Sequence, residues 1–525
     1  MKRYFLLLLL CLGLYLPGLS TLPPLDRDES RFAQASKQMM ESGDYIRIHF
    51  QDEIRAKKPA GVYWLQVASA KLTGVRDAIW PYRLPSLCGA IVAVLLTYAL
   101  GSAVVGPAAA FSGAGLLASC LLLIGEADQA KTDAVQLACI VAAQGLLGRL
   151  YMRRGTDFGW GPAFGFWAAQ GIGILVKGPV VPMVSALTVA ALVATDRRVA
   201  WLKPLRPLPG LLLAAAIVGP WVWAISQATQ GQFIGQAVKT DLLPKLLGAQ
   251  ESHGAPPGTY LGLMMATLWP ASLAAFPALP FAWRYRKEPA LRFLLAWLVP
   301  SWIMFELIPT KLPHYILPVY PALGLMAGLW LEDAAIRSWH KVFAILWGLL
   351  STAIALALCL GIRRFDPAAS IGAALPGLVL AGASWRLVWL FCRGRTEKIA
   401  GEVPALGVLA SILLFFFVLP HLDNLWVGRM IARAVPAGAP LTVSGYGEPS
   451  VVFLHGTGTK LAGGADAAQF LIDHPDGWAA VESKELPAFT EKLPEAKRVA
   501  NIDGFNYSHG KPARVTLFRL TETAP

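Results

Sequence analysis

The sequence predicts a polytopic α-helical membrane protein with a small α/β domain at its C-terminal end. Of its 525 residues, 55% are hydrophobic and only 15% are charged, whereas soluble domains carry about 25% charged residues. The mean hydropathy is +0.51. Long apolar runs recur up to about residue 420, after which the composition becomes that of a soluble protein. These observations exclude a soluble enzyme, a disordered chain and a fibrous protein.

Apolar runs long enough to cross a bilayer recur along the chain, since a hydrocarbon core of about 30 Å needs roughly 20 helical residues. We predict about 13 transmembrane helices, near residues 4–22, 82–101, 103–124, 133–151, 161–176, 179–195, 208–227, 258–282, 291–308, 314–331, 342–361, 371–392 and 404–420. The first run could also be a cleaved signal peptide. We treat it as an uncleaved anchor because the alternation of sides depends on it.

The basic residues lie in short clusters between the apolar runs, within a formal net charge of +13. The clusters that fall on one side of the predicted alternation are Lys2/Arg3, Arg153/Arg154, Arg197/Arg198, Arg284/Arg286/Lys287, Arg337/Lys341 and Arg393/Arg395/Lys398. The positive-inside rule assigns that side to the cytoplasm. Nucleic-acid binding would instead require one soluble basic patch, so we predict no nucleic-acid partner.

The predicted domains are a membrane domain, residues 1–425, with outer-face loops 23–81 and 228–257, and a soluble domain, residues 426–525. In the soluble part, the predicted strands are LTVSGY, VVFLHG, GWAAVES and RVTLFRL. The predicted helices are AAQFLIDH and LPAFTEKL. The six cysteines lie in apolar stretches without CxxC spacing, which indicates neither a disulfide framework nor a zinc site.

Charged residues of the first outer loop begin with Asp26, Asp28, Glu29 and Arg31, at the start of a predicted helix. In one interpretation, Asp26 or Asp28 caps that helix and Glu29 is a favourable acid in its first turn. In the other, a carboxylate at the membrane surface acts as a base or orients an acceptor. The two roles do not exclude each other.

Cations recur on the same side. They stand beside aromatic residues at Arg55–Trp64 and Lys311–Tyr315, beside carboxylates at Asp128–Asp133, and between two apolar runs at Lys177. Such residues can anchor the chain at the interface, or they can hold a phosphate. Neither GxSxG nor GxxxxGK[ST] occurs, so a serine hydrolase and a nucleotide-driven enzyme are not indicated. Energy would come from an activated lipid-borne donor or from a gradient. A transferase, a transporter and a non-catalytic assembly subunit stay open at this point.

Six motifs in order resemble the bacterial ArnT-like glycosyltransferases, the aminoarabinose–lipid A transferases and their relatives. This family lies within the protein O-mannosyltransferase-like GT-C superfamily. The motifs, spread over roughly residues 1–330, are DESRFA from Asp28, SGDY from Ser42, KKPAGVYWLQ from Lys57, TDA from Thr132, VKGP from Val176 and KLPHYILPVYP from Lys311.

The resemblance implies an inverting sugar transfer from a polyprenyl phosphate on the periplasmic face. Asp28 is then the leading catalytic carboxylate and Asp133 its partner, with Glu29 and Arg31 supporting them. The implied substrate-binding residues are Lys57, Lys58, Lys245, His253, Lys311, His314 and Tyr315. Lys245 departs from the family, because the segment DLLPKLLG stands where relatives are expected to carry an arginine, and lysine lacks the bidentate geometry of arginine.

The partners implied by the resemblance are a polyprenyl-phosphate-linked sugar, membrane lipids, and an acceptor that is lipid A, another lipopolysaccharide component or another surface group. A protein hydroxyl is the alternative acceptor, and a lipid-linked sugar transporter or flippase is the alternative of another class. No cofactor is expected to be required, and a divalent metal is allowed. The implied location is the bacterial inner membrane, with the N-terminus cytoplasmic and the C-terminal domain periplasmic.

Overall fold

The computed structural model describes residues 1–154, 158–237, 239, 254–332, 334–366 and 374–520. Apolar helices up to residue 421 pack around one large buried cluster. The residues after them form a sheet with flanking helices, which we call the tail domain. The predicted fold class is confirmed at this level. The exact domain boundary after residue 425 stays a prediction.

Within the described residues, each predicted transmembrane segment overlaps one helix or two or more consecutive helices. The helices of the described chain that are long and apolar enough to span a membrane are Trp80–Val105, Asp133–Met152, Pro207–Ala228, Pro289–Leu307, Pro313–Glu332, Ser338–Phe365, Leu375–Cys392 and Thr396–His421. These eight become nine if Pro107–Ala118 and Leu121–Ala127, bent by 65°, form one broken span. The chain is a multi-pass membrane protein, and the count of thirteen stays a prediction.

The first outer loop folds into two helices joined by a short hairpin. Its first helix, Asp28–Ser42, is called the loop helix below. The strands His49–Phe50 and Glu53–Ile54 pair antiparallel, and the helix Gly61–Thr73 follows. A helix beginning close to Asp28 was predicted from the spacing of its apolar residues and is confirmed. The side of the bundle that carries this loop is the tail-domain face.

The tail domain contains a five-stranded mixed sheet. In spatial order the strands are Lys460–Ala462, Leu441–Ser444, Trp478–Glu482, Lys511–Arg519 and Lys497–Asn506. The first three run parallel, and the last two pair antiparallel. The helices Val427–Ala434, Pro449–His455, Gly464–Asp473 and Leu486–Lys492 accompany it.

The strand prediction for VVFLHG is wrong, because its first five residues lie in the helix Pro449–His455. Proline stands at the first helical position, where its missing N–H costs nothing. Val451, Val452 and Phe453 are all buried. The β-branched pair that suggested a strand therefore packs as a helix, because tertiary burial overrides a weak local preference.

The tail domain docks on the first outer loop through Asp26, a contact we call the Asp26 clasp. The Tyr446 hydroxyl donates a hydrogen bond to the Asp26 carboxylate over 3.0 Å, and the Ser450 hydroxyl also donates to it. The backbone N–H of Asp26 donates to the Tyr507 hydroxyl over 2.6 Å. Three parts of the tail domain thus converge two residues before Asp28.

Candidate functional site

The loop helix is fixed to the membrane domain by a buried ion pair between Glu29 and Arg83. Both side chains are completely buried, and the guanidinium donates two hydrogen bonds of 2.8 and 2.9 Å to the two carboxylate oxygens. The carboxylate also accepts from the backbone N–H groups of Leu25 and Ala130, each over 2.8 Å. One acid therefore joins the loop helix, the helix Trp80–Val105 and the turn before Asp133.

Arg83 completes this anchor by donating to backbone carbonyls at the end of the first apolar segment. Its terminal nitrogens lie 2.8 Å from the oxygen of Leu22 and 3.0 Å from those of Leu19 and Pro23. A buried charge is tolerated only when it is paired and its hydrogen bonds are satisfied. The geometry gives Glu29 a positioning role, and its assignment to the catalytic group stays a prediction.

Asp28 is the first residue of the loop helix, and its side chain is 53% exposed. The preceding residue, Arg27, occupies the N-cap position with φ 61°, so neither Asp26 nor Asp28 is the cap. A non-glycine residue in that region costs of order 1–3 kcal/mol and persists only where its surroundings impose it. The Asp26 clasp and the Glu29–Arg83 pair, on either side of this turn, hold the backbone of Arg27 in this conformation.

The electrostatic surroundings of Asp28 are positive. Its carboxylate lies 3.9 Å from the Arg55 guanidinium. Burial tends to raise its pKa, but the charges of Arg55, Lys131 and His314 lower it, and so does Arg31, which leaves the pKa below its ordinary value. Asp28 is therefore ionised at neutral pH and faces cations from several segments.

Asp133 lies at the start of the helix Asp133–Met152 and is almost completely buried. Its carboxylate is in contact with the Lys177 ammonium, and His314 Nε2 lies 3.9 Å away. Lys177 also lies 5.5 Å from the centre of the Tyr315 ring. The TDA, VKGP and KLPHY motifs therefore meet at one point.

A second pair adjoins the first. Lys131 Nζ donates to the Glu126 carboxylate over 3.0 Å, and His314 Nδ1 lies 3.8 Å from the same carboxylate oxygen. His314 thus stands between Glu126 and Asp133. We use the name acid–base cluster for Asp133, Lys177, His314, Tyr315, Glu126 and Lys131. The charges of Lys131 and His314 also lower the pKa of Asp28. The two predicted catalytic acids therefore share one electrostatic environment.

Close backbone contact joins the KKPAG and VKGP motifs. A side chain on Gly61 would place its first carbon 2.7 Å from the Leu175 carbonyl oxygen. Only glycine therefore lets the helix Gly61–Thr73 approach the end of the helix that carries Lys177. This approach brings the segment containing Lys57 and Lys58 toward the cluster.

The other predicted binding residues have different surroundings. Lys57 is exposed and Lys58 is half-buried at the start of that segment. Lys311 is buried, and its ammonium donates to the carbonyl oxygens of Glu306 and Ile308 over 2.8 and 2.7 Å. Arg31 borders a cleft against the tail domain. Lys245 and His253 lie outside the described residues.

Sequence reasoning missed several members of this site. Arg83 and Glu126 were not proposed, although each is a charged residue within or directly beside an apolar run, which is costly unless the residue is paired or functional. That cost is the signal that could have identified them. Within the described ranges, no three His, Cys, Asp or Glu side chains form a set able to hold a metal ion. The predicted allowance for a divalent metal stays untested.

The comparisons with known proteins agree with this architecture. A family model described as dolichyl-phosphate-mannose-protein mannosyltransferase matches residues 57–223. The undecaprenyl phosphate-α-4-amino-4-deoxy-L-arabinose arabinosyl transferase of Serratia proteamaculans is 29% identical over 337 residues, which cover 63% of this chain and 60% of the relative. The Pseudomonas aeruginosa protein of the same name is 29% identical over 330 residues, or 61% and 58% of the two chains.

The solved structure of ArnT from Cupriavidus metallidurans bound to undecaprenyl phosphate superposes with a TM-score of 0.79 at 18% identity, over 98% of this chain and 97% of that one. The sequence matches to the two arabinosyl transferases span about three fifths of their length. The predicted resemblance is confirmed: the chain is similar in sequence to ArnT-type transferases and has the ArnT fold.

Proposed function

We propose that this protein is an inverting membrane glycosyltransferase that moves a sugar from a polyprenyl phosphate to an acceptor at the tail-domain face. The observation that carries the proposal is the meeting of Asp28 and the acid–base cluster on one side of an ArnT-like bundle. Carboxylates can activate an acceptor, and cations can stabilise a departing phosphate. This arrangement combines the two requirements of the reaction.

The donor phosphate is assigned to the cations nearest the cluster. Lys131 and Lys177 are held by Glu126 and Asp133, so their ammonium groups have fixed positions. Tyr315, beside Lys177, and Lys58, on the approaching segment, complete the proposed site. A relative solved with undecaprenyl phosphate supports a polyprenyl phosphate as the carrier. The reaction needs no further cofactor in this proposal.

The reaction is a substitution at the anomeric carbon. An acceptor oxygen forms a bond to this carbon while the bond between the carbon and the donor phosphate oxygen breaks. The polyprenyl phosphate leaves with the electron pair of that bond. A hydroxyl acceptor gives its proton to the Asp28 carboxylate, whereas a phosphate acceptor is already ionised near pH 7 and needs only orientation. The configuration inverts because nucleophile and leaving group occupy opposite faces of the sugar.

The low pKa of Asp28 makes it a weak base in the free protein, because its cationic neighbours stabilise the ionised form. An anionic donor bound at Lys131 would offset the charge of that lysine and raise the pKa of Asp28. Asp28 then becomes a stronger base only when the donor is present, which restrains the reaction until both substrates are bound.

The tail-domain face is assigned to the periplasm, and the N-terminus to the cytoplasm, because the basic clusters lie at the opposite ends of the helices. Lipid A or another lipopolysaccharide component is the proposed acceptor. The resemblance supports this acceptor, and the names of the relatives support an undecaprenyl-phosphate-linked aminosugar as donor. The bacterial inner membrane is the corresponding location.

The test is a transfer assay with the full chain in nanodiscs. Undecaprenyl-phosphate sugars are supplied with lipid A, and products are detected by mass spectrometry. For transfer to a hydroxyl group of the acceptor, which needs a base, Asp28→Asn is expected to reduce turnover about 10²–10⁴-fold. Asp52→Asn is the matched control, since Asp52 is an exposed acid of the same loop. Equal turnover in Asp28→Asn and the control would remove Asp28 from the mechanism.

The matched family description, which names protein mannosyltransferases, favours a protein hydroxyl as the second candidate acceptor. A peptide acceptor in the same assay tests it. If the donor crosses vesicle membranes and no product forms with either lipid A or the peptide, the result would support a lipid-linked sugar transporter and contradict the proposed transferase.

A further inference from the structure

A cleft of about 580 Å³ separates the beginning of the loop helix from the tail domain. Its size falls within the range of about 300–1,000 Å³ that is typical of small-ligand pockets. Arg31 of the loop helix and its N-cap residue Arg27 lie in one wall, and the tail domain contributes Lys484 and Lys511 to the other. The acid–base cluster supplies none of the described lining residues, so this is a separate cavity.

The acids that line the cleft are engaged in contacts within the tail domain. Glu482 pairs with Lys484 at 3.0 Å. The buried Glu448 accepts from the Asn506 amide over 3.2 Å and has His509 Nε2 at 3.6 Å. By formal charge, two arginines and two lysines stand against two glutamates among the described lining residues, so positive charge exceeds negative charge. Charge-assisted hydrogen bonds from arginine and lysine suit a phosphate ligand.

The cleft is a built feature, because its two walls are fastened together. The Asp26 clasp joins the residue before Arg27 to Tyr446, Ser450 and Tyr507 of the tail domain. Farther along the loop helix, Gln34 Nε2 donates to the Thr457 hydroxyl over 2.7 Å. These contacts hold the two cationic walls in register.

Asp28 is linked to this cleft by its place in the sequence and to the acid–base cluster by its electrostatic surroundings. In sequence it stands between Arg27 and Arg31 of the cleft. The charges of Lys131 and His314 in the cluster lower the pKa of its carboxyl group. An inverting substitution brings the nucleophile to the face of the sugar opposite the leaving group. With the donor phosphate at the cluster, an acceptor held in the cleft would reach Asp28 from the other direction.

We propose that the cleft binds the phosphate-bearing saccharide headgroup of a lipid acceptor, with Arg27, Arg31 and Lys511 contacting the phosphate. This inference rests on the proposed function and deepens it, because it assigns an acceptor subsite and gives the tail domain a binding role. The acceptor is defined by its chemistry: a sugar headgroup with at least one phosphate, presented at the membrane surface.

The test varies the acceptor and one wall of the cleft together. Transfer to lipid A is compared with transfer to lipid A from which the phosphates have been removed, using the wild type, Lys511→Gln and Lys511→Arg. Lys511→Gln is expected to raise KM for the phosphorylated acceptor about tenfold, the effect of losing one charge-assisted hydrogen bond. It should not raise KM for the dephosphorylated acceptor, and Lys511→Arg should restore most of the loss.

Lys460→Gln is the matched control, because Lys460 is an exposed lysine of the tail-domain sheet that does not line the cleft. Native mass spectrometry measures binding of the same two lipids without turnover, with inorganic phosphate as competitor. Equal lipid binding in Lys511→Gln and Lys460→Gln would overturn the subsite. Equal competition by phosphate alone and by the headgroup would show a simple anion site and overturn the headgroup assignment.

The two proposals fail in distinguishable ways. Absence of transfer from any donor in the wild type would contradict the transferase, while the binding arm still tests the cleft. Transfer with an unchanged KM in Lys511→Gln would leave the transferase intact and overturn the subsite. Transfer to a peptide, with no dependence on the phosphates of the lipid, would also overturn it.

Discussion

Asp28 and Asp133 both stand at the first position of a helix, yet their side chains have opposite surroundings. Asp28 is 53% exposed and lies 3.9 Å from its cationic neighbour Arg55. Asp133 is buried in direct contact with Lys177. A carboxylate at a helix N-terminus is favourable in either case. The comparison teaches that the position in a helix does not assign the role; burial and the partner do.

This difference suggests that the two acids have different roles in the proposed reaction. In the proposed reaction, the Asp133 carboxylate, which is paired with Lys177, positions the cations that would receive the donor phosphate. The more exposed Asp28 carboxylate is the acid proposed to meet the acceptor. Substitutions that affect the two residues differently can test this difference in roles.

The largest expected effect comes from Asp133→Asn. This change leaves the Lys177 ammonium buried without its charge partner, which costs about 3–5 kcal/mol when a buried pair is broken. Thermal unfolding of the detergent-solubilised protein should show a clear loss of stability, and the double variant Asp133→Asn/Lys177→Met should recover part of it.

The control for that measurement is Asp503→Asn, which breaks an exposed pair with Arg514 and should change stability by less than about 1 kcal/mol. Asp28→Asn should also leave unfolding nearly unchanged. A loss of stability in Asp28→Asn as large as in Asp133→Asn would break the proposed contrast between the two acids.

A smaller effect is expected on the pH dependence of transfer when Arg55 is replaced. The Arg55 charge lowers the pKa of Asp28, so Arg55→Gln should raise that pKa and move the acidic limb of the rate profile upward by about one pH unit. Arg47→Gln is the control, because Arg47 pairs with Asp44 in the same loop. An unchanged acidic limb would show that Asp28 does not control it.

The smallest effect concerns the Asp26 clasp. Burial, together with the nearby charge of Glu448, raises the pKa of Asp26 to about 7 in the docked state, although hydrogen bonds from Ser450 and Tyr446 oppose this. The ionised form is therefore disfavoured on docking, and the clasp should weaken as pH rises from about 4 through about 7. Hydrogen exchange of the loop helix between pH 5 and 8 measures it.

In Asp26→Asn this pH dependence should disappear, because the amide keeps the size of the side chain without titrating. Glu41→Gln is the control, since Glu41 accepts from Thr457 at an exposed point of the same contact. Loop-helix exchange that varies with pH equally in the wild type and Asp26→Asn would contradict the assignment to Asp26.

Much of the fold was predictable because apolar runs and basic clusters are local signals. The meeting of TDA, VKGP and KLPHY was predictable only through the resemblance, since nothing local shows that distant segments approach each other. The Glu29–Arg83 pair was missed because a lone arginine in an apolar run shows its cost but not its partner. The helix Pro449–His455 was mispredicted because its burial against the loop helix depends on docking.

The strand Lys511–Arg519 lies between Trp478–Glu482 and Lys497–Asn506, so the sheet cannot close before this late stretch is synthesised. During translation, the turn carrying Asp28 is synthesised early, before Tyr446, Ser450 and Tyr507 belong to a folded domain. A chain whose synthesis ends before this strand would therefore have a first outer loop without its folded partner. Docking of the tail domain on that loop is thereby linked to near-complete synthesis of the polypeptide.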